Sequence, residues 1–487
     1  MNRIGFDNQK YLELQSKRIM ERISQFGDKL YLEFGGKLFD DYHASRVLPG
    51  FAPDSKLQML LQIKEEAEIV FAINASHINS NKIRQDLNIT YQEDVIRLIN
   101  EFRRIGLYVS SVVITQYSSS KLITQFQNKL KKMNINVYHH YTIEGYPTDS
   151  KRIISKDGFG KNDFIETTRP LVVVTAPGPG SGKMATCLSQ LYHENIRGVR
   201  AGYAKYETFP IWNLPLDHPS NLAYEAATAD LNDVNMIDPY HLSAYNKITV
   251  NYNRDIEIFP VLKNIFEEIY GTCPYASPTD MGVNMIGSAI VDDEVIQKAG
   301  KQEIIRRYFN TFNRYYNELC DINELNKQEL ILKKANLVLE DRKCVKKARE
   351  AQKHYKVYSG AIDCLDGTIV TGRTTELMGA CSSVLINTLK YLAQIDQNVH
   401  IIETKLIEPI QNLKTEYLGS CNPRLHANEI LIALCISAQT NENAKKALAC
   451  LNQLKGLQAH ITCDLSNVDL NTYSQLGIQV TYESSKK

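Results

Sequence analysis

The chain has no apolar run approaching the ~20 residues of a membrane span, so no membrane partner is expected. Its ten cysteines include no C-x-x-C pair. Several sit in apolar runs, such as Cys435 in ILIALCISA, which argues for buried reduced thiols over a zinc site or a disulfide framework. Neither sign of charge is in excess: 56 Lys+Arg stand against 55 Asp+Glu, a formal net charge of +1. That balance gives no electrostatic case for nucleic acid. There is no internal repeat and no low-complexity tract. The N-terminal MNRIGFDNQKYLELQSKR is charged and lacks an apolar signal core, so a cytoplasmic protein is expected. One Trp against 27 Tyr is a bias that excludes nothing. What is present is an ordinary globular composition, 43% hydrophobic and 23% charged over 487 residues. Two or three domains are expected at that length.

The richest stretch runs from Leu171 to Glu194, LVVVTAPGPGSGKMATCLSQLYHE. A β-branched run after Arg169-Pro170 reads as a buried strand. Ala176 to Gly182 then holds three Gly and two Pro, Lys183 follows, and Met184, Leu188, Leu191 and Tyr192 recur at helical spacing. Strand, glycine loop, lysine and helix together suit phosphate. Glycine lets backbone N–H groups approach an anion, the helix start adds partial positive charge, and lysine adds a whole one. The match to G-x-x-x-x-G-K-[ST] is incomplete. Pro177 takes the first glycine position, and Met184 replaces the hydroxyl residue that holds Mg²⁺. A dinucleotide fingerprint fits less well, with Lys183 in the third-glycine position and Glu207 as the nearest acid. A strand-to-helix turn serving packing alone is the plainer alternative.

Around this stretch the pattern alternates. Strands are expected at 29–37, 68–74, 109–115, 135–141 and 171–175, and helices at 11–26, 56–66, 91–105 and 119–133. That alternation predicts an α/β fold with a mostly parallel, doubly wound sheet. Ligands in such sheets bind beyond the strands' carboxyl ends, which places the loops after residues 34, 74, 115 and 175 on one rim. The loop after Gly35-Gly36 offers Lys37, His43 and Arg46. Further on, Asp230 and Asp233 are expected one helical turn apart, able to hold Mg²⁺ through water. Helix capping and solvated charge is the alternative. Asp280, in a Pro/Gly-rich segment, is a candidate base or ligand, or a helix cap. A long charged helix is expected over 303–339. After Val357 the sequence suggests a compact α+β domain, with a strand over 428–440. The expected division is an α/β phosphate-binding domain over 1–250, a helical bridge over 251–350, and a C-terminal α+β domain over 351–487.

GFDNQKYLELQSKRIMERI, LYLEFGGKLFDDYHASRVLPGF, TAPGPGSGKMATCLSQLYHE, ATADLNDVNMIDPYHL, SPTDMGVNMIG and the closing LGIQVTYE together resemble the bacterial domain-of-unknown-function family 1846. The resemblance covers nearly the whole chain. It implies an N-terminal α/β region, a helical portion and a C-terminal α+β region, and no established activity. A peptidase label attached to such proteins has no H-E-x-x-H motif to rest on here.

The expected function is therefore binding of ATP, another nucleotide or a phosphorylated small molecule at the 176–183 loop, with phosphoryl transfer or hydrolysis as the reaction class. Gly178, Gly180, Ser181, Gly182 and Lys183 would hold phosphate, with Lys37 and Arg46 on the same rim. Asp230 and Asp233 would hold Mg²⁺, and Lys183 and Asp280 would carry the chemistry. A non-catalytic phosphometabolite-binding scaffold and an NAD(P)-dependent oxidoreductase are the alternatives. A homo-oligomer is the expected assembly.

Overall fold

The computed structural model describes residues 3–27, 29–36, 39, 41–84 and 87–484. Lys37 lies outside the described residues. By contact density the chain divides into two units, 3–300 and 301–487.

The first unit is built on a seven-stranded sheet. Its strands are β1 (Leu30–Phe34), β2 (Ala67–Asn74), β3 (Tyr108–Thr115), β4 (Asn136–His139), β5 (Leu171–Thr175), β6 (Gly202–Tyr206) and β7 (Gly282–Val283). They lie in the order β7-β6-β1-β5-β2-β3-β4. Every pairing is parallel. β1, β2 and β5 are buried along their whole length. Strands covered on both faces have no use for polar alternation, which is why they read as continuous Val/Ile/Leu runs. Because β7 pairs with β6, the chain well past residue 250 still belongs to this sheet.

Helices cover both faces. The relevant ones are α1 (Asn8–Gln25), α2 (Ala75–Asn79), α3 (Tyr91–Arg104), α4 (Lys121–Lys132), α5 (Lys183–Ile196) and α6 (Asn253–Tyr270). Tyr31 on β1 donates its hydroxyl to Glu194 of α5 at 2.8 Å. Tyr31 is in register with Glu68 of β2 through Val172. Phe71, three residues beyond Glu68, points to the other face, where it meets Phe102 of α3 with ring centres 5.6 Å apart. α3 is well specified locally. Thr90 and Glu93 form a reciprocal cap at its start, and Arg103 and Arg104 sit in its last turn.

The path of the chain creates a switch point. From β2 it steps outward to β3 and β4, then returns to the centre at β5 and leaves in the opposite direction, past β1, to β6 and β7. The connections after the neighbours β2 and β5 therefore diverge. This divergence is the topological switch point, the place where doubly wound sheets hold their ligands.

Two local expectations are corrected. Residues 303–339 do not form one helix. α7 (Asp293–Tyr316) and α8 (Ile322–Lys334) are separated by a turn with Glu318 at φ 60°, and Asp321 caps α8 by accepting from Glu324 N at 3.0 Å. The segment over 428–440 is not a strand but a helix, Ala427–Ser437. A continuous apolar run has no period to distinguish the two. Glu429 accepts from the N–H of His426 at 2.7 Å, which sets a helix start there. That helix belongs to the second unit, whose sheet comprises β8 (Ser359–Asp363), β9 (Ile369–Arg373), β10 (Gln458–Ile461) and β11 (Gln479–Tyr482). Its order is β9-β8-β10-β11. β8 is antiparallel to both its neighbours, and β10 and β11 are parallel.

Candidate functional site

The loop from Ala176 to Gly182 leaves β5 and enters α5. Gly180 and Gly182 have φ of 74° and 84°, and Ser181 between them does not adopt positive φ. Alternation of hand is the backbone pattern from which anion-binding nests of successive amides are built. Gly182 is the N-cap of α5 and provides no side-chain cap.

Side chains from neighbouring strand ends hold the loop by its carbonyls. Ser181 is fully buried, and its hydroxyl donates to the Gly178 carbonyl at 2.9 Å. Thr115, the last residue of β3, donates to the Ser181 carbonyl at 2.8 Å. Asn74, the last residue of β2, donates through Nδ2 to the Gly180 carbonyl at 3.3 Å and to Gln116 Oε1 at 2.9 Å. Gln116 has φ 49°, an uncommon conformation for a residue other than glycine. The amides are treated differently. Among the described residues, the N–H groups of Gly178, Gly180, Ser181, Gly182 and Lys183 have no acceptor.

The wall facing the loop is aromatic and basic. A Cβ on Gly178 would lie 2.8 Å from Cζ of Tyr91, and one on Gly180 would lie 3.6 Å from Cε1 of His77. The two rings meet edge to face at 5.0 Å. Lys82 Nζ stands 3.3 Å from His77 Nε2 and 5.0 Å from the centre of the Tyr91 ring. An ammonium only donates, so His77 Nε2 accepts and the proton of the neutral ring lies on Nδ1. Nδ1 is buried without a partner. Burial, aided by Lys82, holds the His77 pKa below the usual histidine value and keeps the ring neutral. Lys183, half-buried at the first position of α5, forms no ion pair among the described residues. The site is thus rich in donors at the β5–β2 switch point.

The other nominated residues come from other segments. Arg46 is half-buried in the short helix Tyr42–Val47, and His43 beside it packs edge-on against Phe209 and Tyr224. Asp230 is exposed in a 3-10 turn, because the preceding helix stops at Ala227. Asp233 is buried beside Arg254, 2.6 Å away. The helical spacing expected of that pair is absent, since Asn232 between them has φ 60°. No group of three or more His, Cys, Asp or Glu able to hold a metal ion occurs among the described residues. Asp280 accepts from Tyr245 Oη at 2.9 Å and from Ala276 N at 3.0 Å. It precedes β7, which lies three strand spacings from β5, about 14 Å at ~4.8 Å each. Asp280 and Lys183 therefore do not address one reacting atom.

Glu207 follows β6 directly. Its carboxylate lies 3.0 Å from Lys205, which also pairs with Asp255. Burial raises the Glu207 pKa to about 7, against the pull of Lys205. A dinucleotide site needs its acid on the strand beside the glycine loop, but β1 intervenes between β5 and β6. Asn74, His77, Lys82, Tyr91, Thr115 and Gln116 escaped the sequence reading. The rule of strand carboxyl ends does select the loops after 74 and 115, but no local pattern marks which side chains turn toward residue 180.

The chain matches two family models in succession, described as domain of unknown function DUF1846, N-terminal, over residues 4–336, and DUF1846, C-terminal, over residues 340–486. A UPF0371 protein of Streptococcus thermophilus is 54% identical over 483 residues, covering 99% of this chain and 98% of that one. A UPF0371 protein of Streptococcus pyogenes serotype M18 is 53% identical over the same length and coverage. From its first domain to its second, the chain belongs to the DUF1846 family of unknown function.

Proposed function

We propose that this protein binds a nucleotide or another phosphorylated small molecule, with a phosphate seated on the loop Gly178–Lys183. One observation carries the reading: the carbonyls of residues 178, 180 and 181 are hydrogen-bonded to side chains, while the amides of 178 and 180–183 have no acceptor among the described residues. A loop that served only packing would have no need to be held by one kind of backbone group. Amides at the start of a 14-residue helix, joined by the Lys183 ammonium, favour an anion. The switch-point position supports the same reading. Met184 stands where a phosphate loop places its Mg²⁺-binding hydroxyl, so phosphate binding that needs no metal is the form proposed.

A binding role without turnover is the second reading. The distance from Lys183 to Asp280 and the engagement of Asp233 by Arg254 favour it.

The test is calorimetry and thermal shift with ATP, GTP, NAD, NADP and sugar phosphates, with and without Mg²⁺, on wild type and Lys183→Ala. Stabilisation by a phosphorylated ligand that Lys183→Ala abolishes supports the site. Absence of stabilisation by every member of the panel overturns it. Turnover of the bound ligand separates an enzyme from a binding protein.

A further inference from the structure

Lys82 is exposed, yet its backbone is fixed. Its N–H donates to the His77 carbonyl at 2.9 Å, and its carbonyl accepts from Tyr91 N at 2.9 Å. The residue is thus pinned between the end of α2 and the start of α3. Its ammonium rests against the two rings on which Gly178 and Gly180 pack. The imidazole of His77 touches both this ammonium and the space beside Gly180. Lys183 stands at the opposite end of the loop, and neither lysine forms an ion pair among the described residues.

Lys82 and the loop meet on one imidazole: its ammonium lies 3.3 Å from His77 Nε2, and a Cβ on Gly180 would lie 3.8 Å from the same atom, so the ammonium stands within about 7 Å of the loop whose five amides lead to Lys183 and the start of α5. A single phosphate, carrying about −1.5 to −2 charges, is matched by the amides and one lysine. The second lysine lies on another element, to one side of the loop. We infer that the site takes a diphosphate, two linked phosphate groups, with the first on the amides and Lys183 and the second against Lys82. This inference rests on the phosphate reading of the loop and narrows its ligand to diphosphate-bearing molecules. Lys82 is a specificity-determining residue in this arrangement: it selects two phosphates over one.

The test uses inorganic phosphate and pyrophosphate in metal-free buffer, measured by calorimetry on wild type, Lys82→Met, Lys82→Arg and Lys183→Ala. Methionine keeps the apolar stem over Tyr91 and removes the charge. Wild type is expected to bind pyrophosphate about tenfold more tightly than phosphate, the increment of one good charge-assisted contact. Lys82→Met is expected to remove that preference and leave phosphate affinity within about twofold, while Lys82→Arg retains it. Lys183→Ala is expected to weaken both anions. An unchanged preference in Lys82→Met overturns the diphosphate assignment and leaves the phosphate site standing. Failure of both anions to bind wild type overturns the phosphate site itself.

Discussion

Thr115 ends one strand and, through its hydroxyl, holds the loop that follows another: Oγ1 donates to the Ser181 carbonyl at 2.8 Å. The same side chain fills the space beside Gly182, whose Cβ, if it had one, would lie 2.9 Å from Thr115 Oγ1. Thr115→Val keeps the shape and removes the donor. It is expected to cost about 1 kcal/mol of stability, the typical worth of one hydrogen bond. Urea denaturation measures the cost, and Thr115→Ser is expected to recover most of it. Phosphate-ligand affinity is expected to fall in the valine variant, because the Ser181 carbonyl is released and the neighbouring amides lose their aim.

Gly178 and Tyr91 are coupled sterically. Gly178→Ala drives a methyl into the phenol ring, for an expected loss of about 1–3 kcal/mol. Tyr91→Ala carries its own cavity cost. In the double variant the clash is gone, so the two losses are expected to fall short of additive by about 1 kcal/mol or more. A double-mutant cycle from chemical denaturation reads this directly. Strict additivity would place Tyr91 away from the loop.

His140 is a buried neutral base. It is 4% exposed, and burial pushes its pKa down to about 3, with the Asp163 carbonyl partly opposing. In the unfolded chain it takes a proton near the ordinary value of about 6.5, while the folded state refuses one until near pH 3. The unfolded state therefore binds more protons in between, and stability falls as pH drops from about 6.5 toward 3. By pH 5 this group alone is expected to remove about 2 kcal/mol, at 1.36 kcal/mol per pH unit. The comparison is urea denaturation at pH 7.5 and pH 5 for wild type and His140→Gln. The glutamine variant is expected to lose less over that interval.

Arg342 is fully buried in the second unit. Its guanidinium donates to Gln458 Oε1 at 2.5 Å, to the carbonyl of Gln479 at 2.6 Å, and to that of Ala459 at 3.2 Å. It thus fastens β10 to β11 at the parallel edge of that sheet. Arg342→Met is expected to destabilise by about 3 kcal/mol, since the carbonyls it served stay buried and unpaired. Arg342→Lys is not expected to rescue, because a single ammonium does not reproduce the planar fork. Thermal unfolding monitored by calorimetry is the measurement.

The amino-acid sequence by itself determined much of the first unit. β-branched runs at Leu171–Thr175 and Ala67–Asn74, and amphipathic segments such as Tyr91–Arg104, fix strand or helix through local periodicity and caps. Alternation of the two implies a parallel, doubly wound sheet, and with it the rim on which the loops after 74, 115 and 175 gather. Where periodicity failed, so did the reading. The apolar run around Cys435 carries no phase; the helix it forms buries Ile430, Ala433 and Leu434 and leaves Cys435 itself exposed, against the expectation of a buried thiol there. Tertiary structure alone decided the order β1-β5-β2, which inserts the glycine strand between two earlier ones and sets the switch point. It also decided the company each side chain keeps. Asp230 and Asp233 are close in sequence but parted by a left-handed Asn232, and Asp280 is separated from Lys183 by the width of three strands. His77, Lys82 and Tyr91 lie about a hundred residues before Gly180, and the parallel pairing of β2 with β5 brings His77 against Gly180 and Tyr91 against Gly178, with Lys82 on both rings. Strand identity is set by neighbours along the chain. The site is set by neighbours across the sheet, which local patterns of residues do not encode.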